Sequence, residues 1–172
     1  MRFHSQHLDF SLISNADFDD LYKTMNDRQT CEIISFLHWP LTKEQVQNWI
    51  DKSETAQKQN NGYFFIARNN DNKPAGCISL HLEQKNSVAE IGYWVAPDFQ
   101  GQGIATEMLA TIIEFGFKTL ALEELFATTA HGNAASENVL RKNGFIESGA
   151  KDVPLPDGTL RPSKLFVKKR TS

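Results

Sequence analysis

The sequence has only two cysteines among its 172 residues, Cys31 and Cys77, and neither is flanked by other ligand types at metal-binding spacing. Two distant thiols do not make a disulfide framework, so we expect both to be free, buried and inert, and we expect no metal site. The sequence also lacks an apolar stretch that could span a bilayer and a signal-peptide core near its start. These absences predict a cytoplasmic protein with no membrane partner.

The sequence also has no excess or clustering of positive charge, since the net charge is -3 and no long basic run is present. Nucleic-acid binding needs a clustered positive surface, so we do not expect a nucleic acid as the partner. Hydrophobic residues make up 40% of the chain and charged residues 23%, which is typical of a globular protein. The length suits one domain with a real core, and we expect that domain to span residues 1–172.

The hydrophobic pattern predicts a chain of mixed α and β structure. In the first half, a strand at "LDFSLI" precedes helices at "NADFDDLYKTMN", "TCEIISFL" and "KEQVQNWIDKSETAQKQ", the last capped by Thr42. The strands "YFFIAR", "GCISLHLE" and "VAEIGYWVAP" follow as an antiparallel meander, with a polar turn at "QKNS". The second half alternates a helix at "IATEMLATIIEFGFKTL", a strand at "LEELFATTA", a helix at "NAASENVLRKNG" and strands at "FIESGAK" and "LRPSKLFVKK".

Two glycines, Gly101 and Gly103, lie between a predicted strand and a predicted helix in "DFQGQGIATEML". The first N–H groups of a helix lack internal partners and favour an anion, and glycine allows a phosphate to approach the backbone. A tight turn with no ligand is an equally good interpretation of two glycines alone. A P-loop is unsupported because no G-x-x-x-x-G-K-[ST] is present, and Thr106 breaks the G-x-G-x-x-G of a dinucleotide site.

The residues around the glycines resemble a known family. "QGQGIA" is similar to the [RQ]-x-x-G-x-[GA] acetyl-CoA loop of the GNAT superfamily of acyl-CoA N-acyltransferases. "AEIGYWVAPDFQGQGIATEML" and "HGNAASENVLRKNGF" resemble, in order and spacing, two blocks of its ribosomal-protein N-acetyltransferase (Rim-type) branch. The blocks cover roughly residues 76 to 148, whereas the N-terminal half resembles the family mainly in layout, apart from "HWP".

The resemblance implies an α+β fold with a mixed, mostly antiparallel central sheet of about six or seven strands flanked by helices. It also implies a splayed strand pair, ending near Val95 and Ala130, that forms the acetyl-CoA wedge. In such a wedge the pantetheine arm would bond to the backbone of Val95 and contact the amide of Asn133. The pyrophosphate would meet the backbone N–H groups of Gln100, Gly101, Gln102, Gly103, Ile104 and Ala105.

The implied reaction is transfer of an acetyl group from acetyl-CoA to a primary amine by direct attack, with no metal and no acyl-enzyme. A base must remove a proton from the ammonium, and an acid must protonate the departing thiolate. Glu90 is the candidate base, Ser136 the candidate acid and Tyr93 the alternative acid. Each also has a purely structural interpretation. Glu90 could be a strand residue, Ser136 a residue of a helix first turn, and Tyr93 an aromatic residue packed in the core.

The acceptor implied by the Rim-type branch is a protein N-terminal amine. A small amine such as a polyamine, amino acid or aminoglycoside is the alternative, and a non-catalytic acyl-CoA-binding module or a nucleotide-binding protein would be a different class. The side chains that could line the acceptor side are His38, Trp39, His81 and His131. Members of the family occur as monomers and as homodimers, and the sequence does not decide between the two states.

Overall fold

Ten strands and five α-helices follow one another in the computed structural model, which describes residues 1–83 and 87–171. The helices are α1 Phe18–Met25, α2 Arg28–Ile33, α3 Lys43–Lys58, α4 Ile104–Glu114 and α5 Ala134–Lys142. The strands are β1 Arg2–His4, β2 Leu8–Leu12, β3 Gly62–Asn69, β4 Pro74–Glu83, β5 Val88–Val95, β6 Glu124–Ala130, β7 Ile146–Ala150, β8 Val153–Pro154, β9 Leu160–Arg161 and β10 Ser163–Lys169.

Eight of the described strands form one sheet in the order β1-β2-β3-β4-β5-β6-β10-β7, and β8 and β9 form a separate hairpin. All neighbours in the sheet are antiparallel except β5 and β6, which are parallel. The mixed, mostly antiparallel sheet and the β3–β4–β5 meander are as the sequence predicts. The sheet has one strand more than the predicted maximum of seven, because Arg2–His4 adds at the edge, and this segment is too short to show a pattern.

The helix boundaries follow their caps. Thr42 accepts a hydrogen bond from the N–H of Gln45 at 3.2 Å, as predicted for the start of α3. The helix α2 begins earlier than predicted because Asp27 caps it, accepting from the N–H of Thr30 at 2.8 Å. The helix α4 ends at Glu114 and continues as a π-helical turn, where the predicted helix runs on to Leu120. The predicted turn at residues 84–87 lies, except for its last residue, outside the described residues.

Both faces of the sheet are covered, and this explains why β3 is almost continuously apolar. The side chain of Phe65 packs in the cluster on the α4 side, with Met108 and Ile112. Its neighbours in sequence, Phe64 and Ile66, pack in the cluster on the side of α1, α2 and α3. This alternation fixes the register of the strand, because a slip of one residue would exchange the two faces.

Both cysteines are free and buried, as predicted. Desolvation raises the pKa of Cys31 and raises the pKa of Cys77 well above its ordinary value, so both are thiols at neutral pH. Within the described ranges, no helix has the length and apolar character needed to cross a membrane.

Candidate active site

The parallel strands β5 and β6 separate part-way along the sheet. They pair only where Val88–Glu90 lies beside Glu124–Phe126. Beyond Glu90, β5 stays paired with β4 as far as Val95, while β6 stays paired with β10 as far as Ala130. The two strands therefore diverge and leave a gap between their carboxyl ends, which is the predicted splayed pair.

The backbone of Val95 faces this gap. The N–H of Ala96 donates to the carbonyl of Ala75, its opposite residue on the β4 side, at 2.9 Å. In an antiparallel ladder the backbone groups of successive residues point to opposite edges, so those of Val95 and Tyr93 point towards β6. The carbonyl of Val95 accepts a hydrogen bond from Nε2 of Gln100 at 3.2 Å. The N–H of Val95 is thus placed where an extended ligand could add to the strand.

The glycine loop leads from this gap into α4. Gly101 and Gly103 have φ angles of +73° and +82°, a left-handed conformation that other residues rarely adopt. A Cβ atom built at either position would meet no other protein atom within 4 Å, so both glycines border open space. The predicted reason for these glycines is room for a phosphate. Their positive φ angles are a second, conformational reason. Nε2 of Gln102 donates to the carbonyl of Asp98 at 2.8 Å and braces the loop.

A groove of about 510 Å³ runs along the gap and the loop, and we call it the loop groove. It brings together seven of the eight residues predicted to bind the cofactor: Val95, Gln100, Gly101, Gly103, Ile104, Ala105 and Asn133. The eighth, Gln102, turns its side chain back onto the loop and is not among the lining residues. The groove is also lined by Lys142 at the end of α5, which the sequence analysis did not single out.

A second cavity of about 350 Å³, the strand cavity, is lined in part by residues of β4, β5 and β6. Its polar lining includes Ser79, His81, Glu90, Thr128 and Arg161. It shares Ile33, Tyr93, Trp94 and Ser136 with the loop groove. The two spaces therefore meet at these shared side chains.

Tyr93 and Ser136 form a polar contact at this junction. The hydroxyl of Tyr93 lies 2.9 Å from Oγ of Ser136, and either atom can be the donor. Asn133, the N-cap of α5, accepts from the N–H of Ser136 at 3.1 Å and so fixes the serine in the first turn. Burial raises the pKa of Tyr93 although the bond from Ser136 acts in the opposite direction. The phenol is therefore protonated at neutral pH and can give up a proton.

Glu90 lies in the strand cavity between two partners. Its Oε1 accepts a hydrogen bond from Oγ1 of Thr128 at 3.3 Å, and its Oε2 lies 3.9 Å from Nζ of Lys151. The side chain is 35% exposed, so it can reach a ligand in the cavity and exchange protons with water.

His81 is directly opposite Glu90 in the pairing of β4 with β5. Its ring packs edge-on against Phe64, with centroids 4.9 Å apart, and its Nε2 lies 3.1 Å from Oγ of Ser79. Although the residue is exposed, desolvation of the ring by the surrounding protein lowers its pKa, and Glu90 opposes this shift. The imidazole is therefore neutral at neutral pH, and it is a second possible base beside Glu90.

The other side chains considered for the acceptor side lie elsewhere. His38 and Trp39 line a neighbouring cavity of about 600 Å³ with Leu155 and Pro156. His131 is exposed after β6 and is not among the residues that line the strand cavity. Among the residues that the structure describes, no group of three or more His, Cys, Asp or Glu is arranged to hold a metal ion.

The sequence matches a family profile described as "Acetyltransferase (GNAT) domain" over residues 7–146. The chain belongs to the GNAT acetyltransferase family. This confirms the predicted family and enzyme class, and the donor of GNAT acetyltransferases is acetyl-CoA. The glycines of the loop groove fit that donor, because they border open space in front of the N-terminus of α4.

Several proteins named as acetyltransferases are similar to the chain. It is 42% identical over 80 residues to the Bacillus subtilis protein named "Putative ribosomal N-acetyltransferase YdaF", an alignment that spans 46% of this chain and 44% of that protein. It is 29% identical over 153 residues to the Escherichia coli ribosomal-protein-serine acetyltransferase, which spans 84% of this chain and 82% of the relative. An Escherichia coli spermidine N(1)-acetyltransferase is 29% identical over 80 residues, 46% of this chain and 43% of the relative.

The fold is that of a solved GNAT acetyltransferase. The structure of the ribosomal alpha-N-protein acetyltransferase RimL in complex with coenzyme A superposes with a TM-score of 0.86. The superposition covers 98% of each chain at 20% sequence identity. It confirms the predicted fold class, a mixed and mostly antiparallel sheet flanked by helices.

Proposed function

We propose that the protein transfers the acetyl group of acetyl-CoA to the N-terminal amine of a protein, by direct attack while both substrates are bound. The observation that carries the proposal is the meeting of the loop groove and the strand cavity at Tyr93 and Ser136. Two substrates, one in each of these spaces, can react there, since holding reactants together removes much of the entropic cost.

The loop groove would hold acetyl-CoA, which supplies the acetyl group as a thioester. The N–H of Val95 would position the pantetheine arm and polarise the thioester carbonyl, and the amide of Asn133 would contact the same arm. The backbone N–H groups of residues 100–105 would meet the pyrophosphate, where the α4 dipole favours negative charge. Lys142 is placed to add a positive charge to the same groove.

The strand cavity would hold the amine. Glu90 or His81 would take a proton from the incoming ammonium, either directly or through water. As the nitrogen bonds to the acetyl carbon and the carbon–sulfur bond breaks, the hydroxyl of Tyr93 or Ser136 would give a proton to the departing sulfur, and the second proton of the attacking nitrogen would return to the deprotonated pair. Because the two hydroxyls are hydrogen-bonded, a proton lost by one can be replaced by the other.

The choice of a protein N-terminus as acceptor rests on the relatives. The ribosomal-protein-serine acetyltransferase of Escherichia coli aligns over most of both chains. A polyamine is the second candidate, because the spermidine N(1)-acetyltransferase is also similar, over a shorter segment. The cytoplasmic location and the absence of nucleic-acid and membrane partners stay predictions from the sequence.

The test is thiol release from acetyl-CoA with a panel of amines, with CoA binding measured by calorimetry alongside. The panel contains N-terminal peptides of ribosomal proteins, spermidine, amino acids and an aminoglycoside. We expect turnover with the peptides and at least tenfold lower kcat/KM for spermidine. Preferred turnover of spermidine would contradict the proposed acceptor, and CoA binding without any turnover would favour a non-catalytic acyl-CoA-binding module.

A further inference from the structure

A cation that the proposed mechanism does not use lines the strand cavity. Arg161 lies on β9, opposite Val153 in the β8–β9 hairpin, and both residues border the cavity. The bases Glu90 and His81 come instead from the central sheet. The hairpin therefore brings a guanidinium into the space where the amine acceptor would bind.

The donors of Arg161 are largely unused by the protein. Its Nη1 donates to the carbonyl of Ile33 at 3.3 Å, and its Nε is buried without a hydrogen-bond partner. Within residues 1–83 and 87–171, no carboxylate forms an ion pair with it. Three other arginines, Arg28, Arg68 and Arg141, each pair with at least one acidic side chain.

An unpaired Nε is an unusual feature, because a buried donor without a partner costs free energy. A guanidinium binds a carboxylate through two parallel N–H···O bonds, and Nε together with Nη2 forms one edge suited to this geometry. With Nη1 bonded to Ile33, that edge is the part of Arg161 without a protein partner, and the side chain must turn towards the cavity for a ligand to reach the buried Nε. A carboxylate would satisfy the buried donor and balance the charge at once.

We propose that Arg161 binds a carboxylate on the amine acceptor, so that the acceptor carries a negative group close to its reacting amine. This inference rests on the proposed function, in which the strand cavity takes the acceptor. The carboxylate can belong to an acidic side chain near a protein N-terminus or be the α-carboxylate of an amino acid or short peptide. A polyamine is disfavoured in either case, because its cations would approach a guanidinium that has no carboxylate to screen it.

The test is calorimetric titration of the CoA-saturated protein with matched peptide pairs. One series places glutamate at the second, third or fourth residue of an amidated peptide, and its partner series places glutamine there. A dipeptide with a free C-terminus is paired with its amide, which separates the two sources of the carboxylate. We expect at least one carboxylate peptide to bind about tenfold or more tightly than its amide.

Substitutions assign the preference to Arg161. Arg161→Gln should reduce the carboxylate preference to less than about threefold, and Arg161→Lys, which keeps the charge but not the fork, should give an intermediate value. Arg2→Gln removes the same charge on the exposed edge strand β1 and should leave the preference unchanged. The CoA affinity of each variant reports that it is folded.

Two results overturn the inference: equal binding of every carboxylate and amide pair to the unsubstituted protein, or a preference that persists in Arg161→Gln. Thiol release is measured with the same peptides. A carboxylate preference in binding without thiol release would refute acetyl transfer while supporting the Arg161 site. Thiol release without a carboxylate preference would support acetyl transfer while refuting the Arg161 site.

Discussion

The contact between Tyr93 and Ser136 has two consequences for a proton transfer at the junction of the two cavities. The phenol has a raised pKa, so it holds its proton at neutral pH, and the serine hydroxyl lies 2.9 Å away to replace a proton that is lost. Asn133 holds the serine through the helix cap. The pair can therefore act as one proton donor rather than two alternatives.

We predict that Tyr93→Phe and Ser136→Ala each lower kcat about 100-fold or more and change acetyl-CoA affinity less, because a positioned acid contributes in the transition state. The double variant should be little worse than either single variant, since both remove the same proton path. Steady-state kinetics and CoA calorimetry measure these effects, with Tyr63→Phe on β3 as control. Unchanged kcat in both single variants would remove the pair from the mechanism.

The pH profile should report which group is the base. The lowered pKa of His81 means that the ring loses its proton below the ordinary value of 6.5, so the base is available above that lower pKa. If His81 acts, kcat/KM falls as the pH drops through a value below 6.5. In His81→Gln this fall should vanish, whereas His131→Gln should keep it. An identical acidic limb in His81→Gln would exclude His81 as the base.

The conformation of the loop before α4 depends on a glycine with a positive φ angle. Gly103→Glu places a charged side chain at a φ of +82° in front of the groove. The strain should cost about 1–2 kcal/mol of stability. We expect CoA affinity to fall at least about tenfold as well, because the carboxylate would repel the pyrophosphate.

Gly158→Glu is the matched control for the loop. Its φ is +83° and a Cβ atom there also meets open space, but it lies in the turn between β8 and β9. Equilibrium unfolding should show a similar loss of stability in both variants, and calorimetry should show a loss of CoA affinity only in Gly103→Glu. Equal CoA affinities in the two variants would contradict the assignment of the loop groove to the donor.

The first turn of α4 is tied to the N-terminal strands through Glu107. Its Oε1 accepts from Oγ of Ser5 at 2.5 Å and from the N–H of His7 at 2.8 Å. Burial raises the pKa of Glu107, but these bonds and the contact with the His7 ring outweigh it, so the net shift is downward. A lowered folded-state pKa adds stability above the ordinary range of a glutamate, and this is lost as the pH falls through the lowered value.

We therefore predict that Glu107→Gln destabilises the fold at pH 7 by about 2 kcal/mol, the size of one hydrogen bond to a charged group. The difference should shrink as the pH is lowered from 7 towards 3, because the native carboxylate is progressively protonated as the pH approaches its lowered pKa. Urea unfolding at pH 7 and at pH 3 measures the difference in the free energy of unfolding. Glu114→Gln, an exposed residue of the same helix, should change stability by less than about 0.5 kcal/mol. A Glu107→Gln effect that does not depend on pH would contradict the electrostatic explanation.

Across the whole fold, it could be predicted from the sequence that the residues which we assign to acetyl-CoA lie close together. This part of the site is local: β5, the loop and the start of α4 follow one another within about twenty residues, and the cap of α5 adds Asn133 and Ser136. The pattern of a strand, two glycines and a helix predicts the geometry of the loop, and the resemblance to the GNAT family adds the expected anion site. The positive φ angles, the turned-back side chain of Gln102 and the presence of Lys142 in the groove needed the structure.

The acceptor side could not be predicted because it is assembled from distant segments. His81 lies opposite Glu90 only through the register of two strands, and Arg161 enters the strand cavity from a hairpin about seventy residues further along the chain. His38 and Trp39, which adjoin the helical segment before α3, line a different cavity. Spacing in sequence carries no information on such a juxtaposition, so three histidines and Trp39 remained equal candidates for the acceptor side.

Direct acetyl transfer requires the two substrates to meet at Tyr93 and Ser136, and an initial-rate matrix tests this requirement. Thiol release is measured while acetyl-CoA and an N-terminal peptide are varied together, and mass spectrometry locates the acetyl group. We expect intersecting double-reciprocal lines and one acetyl group on the peptide's α-amine. Parallel lines with an acetylated enzyme, or no acetyl group on the peptide α-amine, would contradict direct transfer to a protein N-terminus.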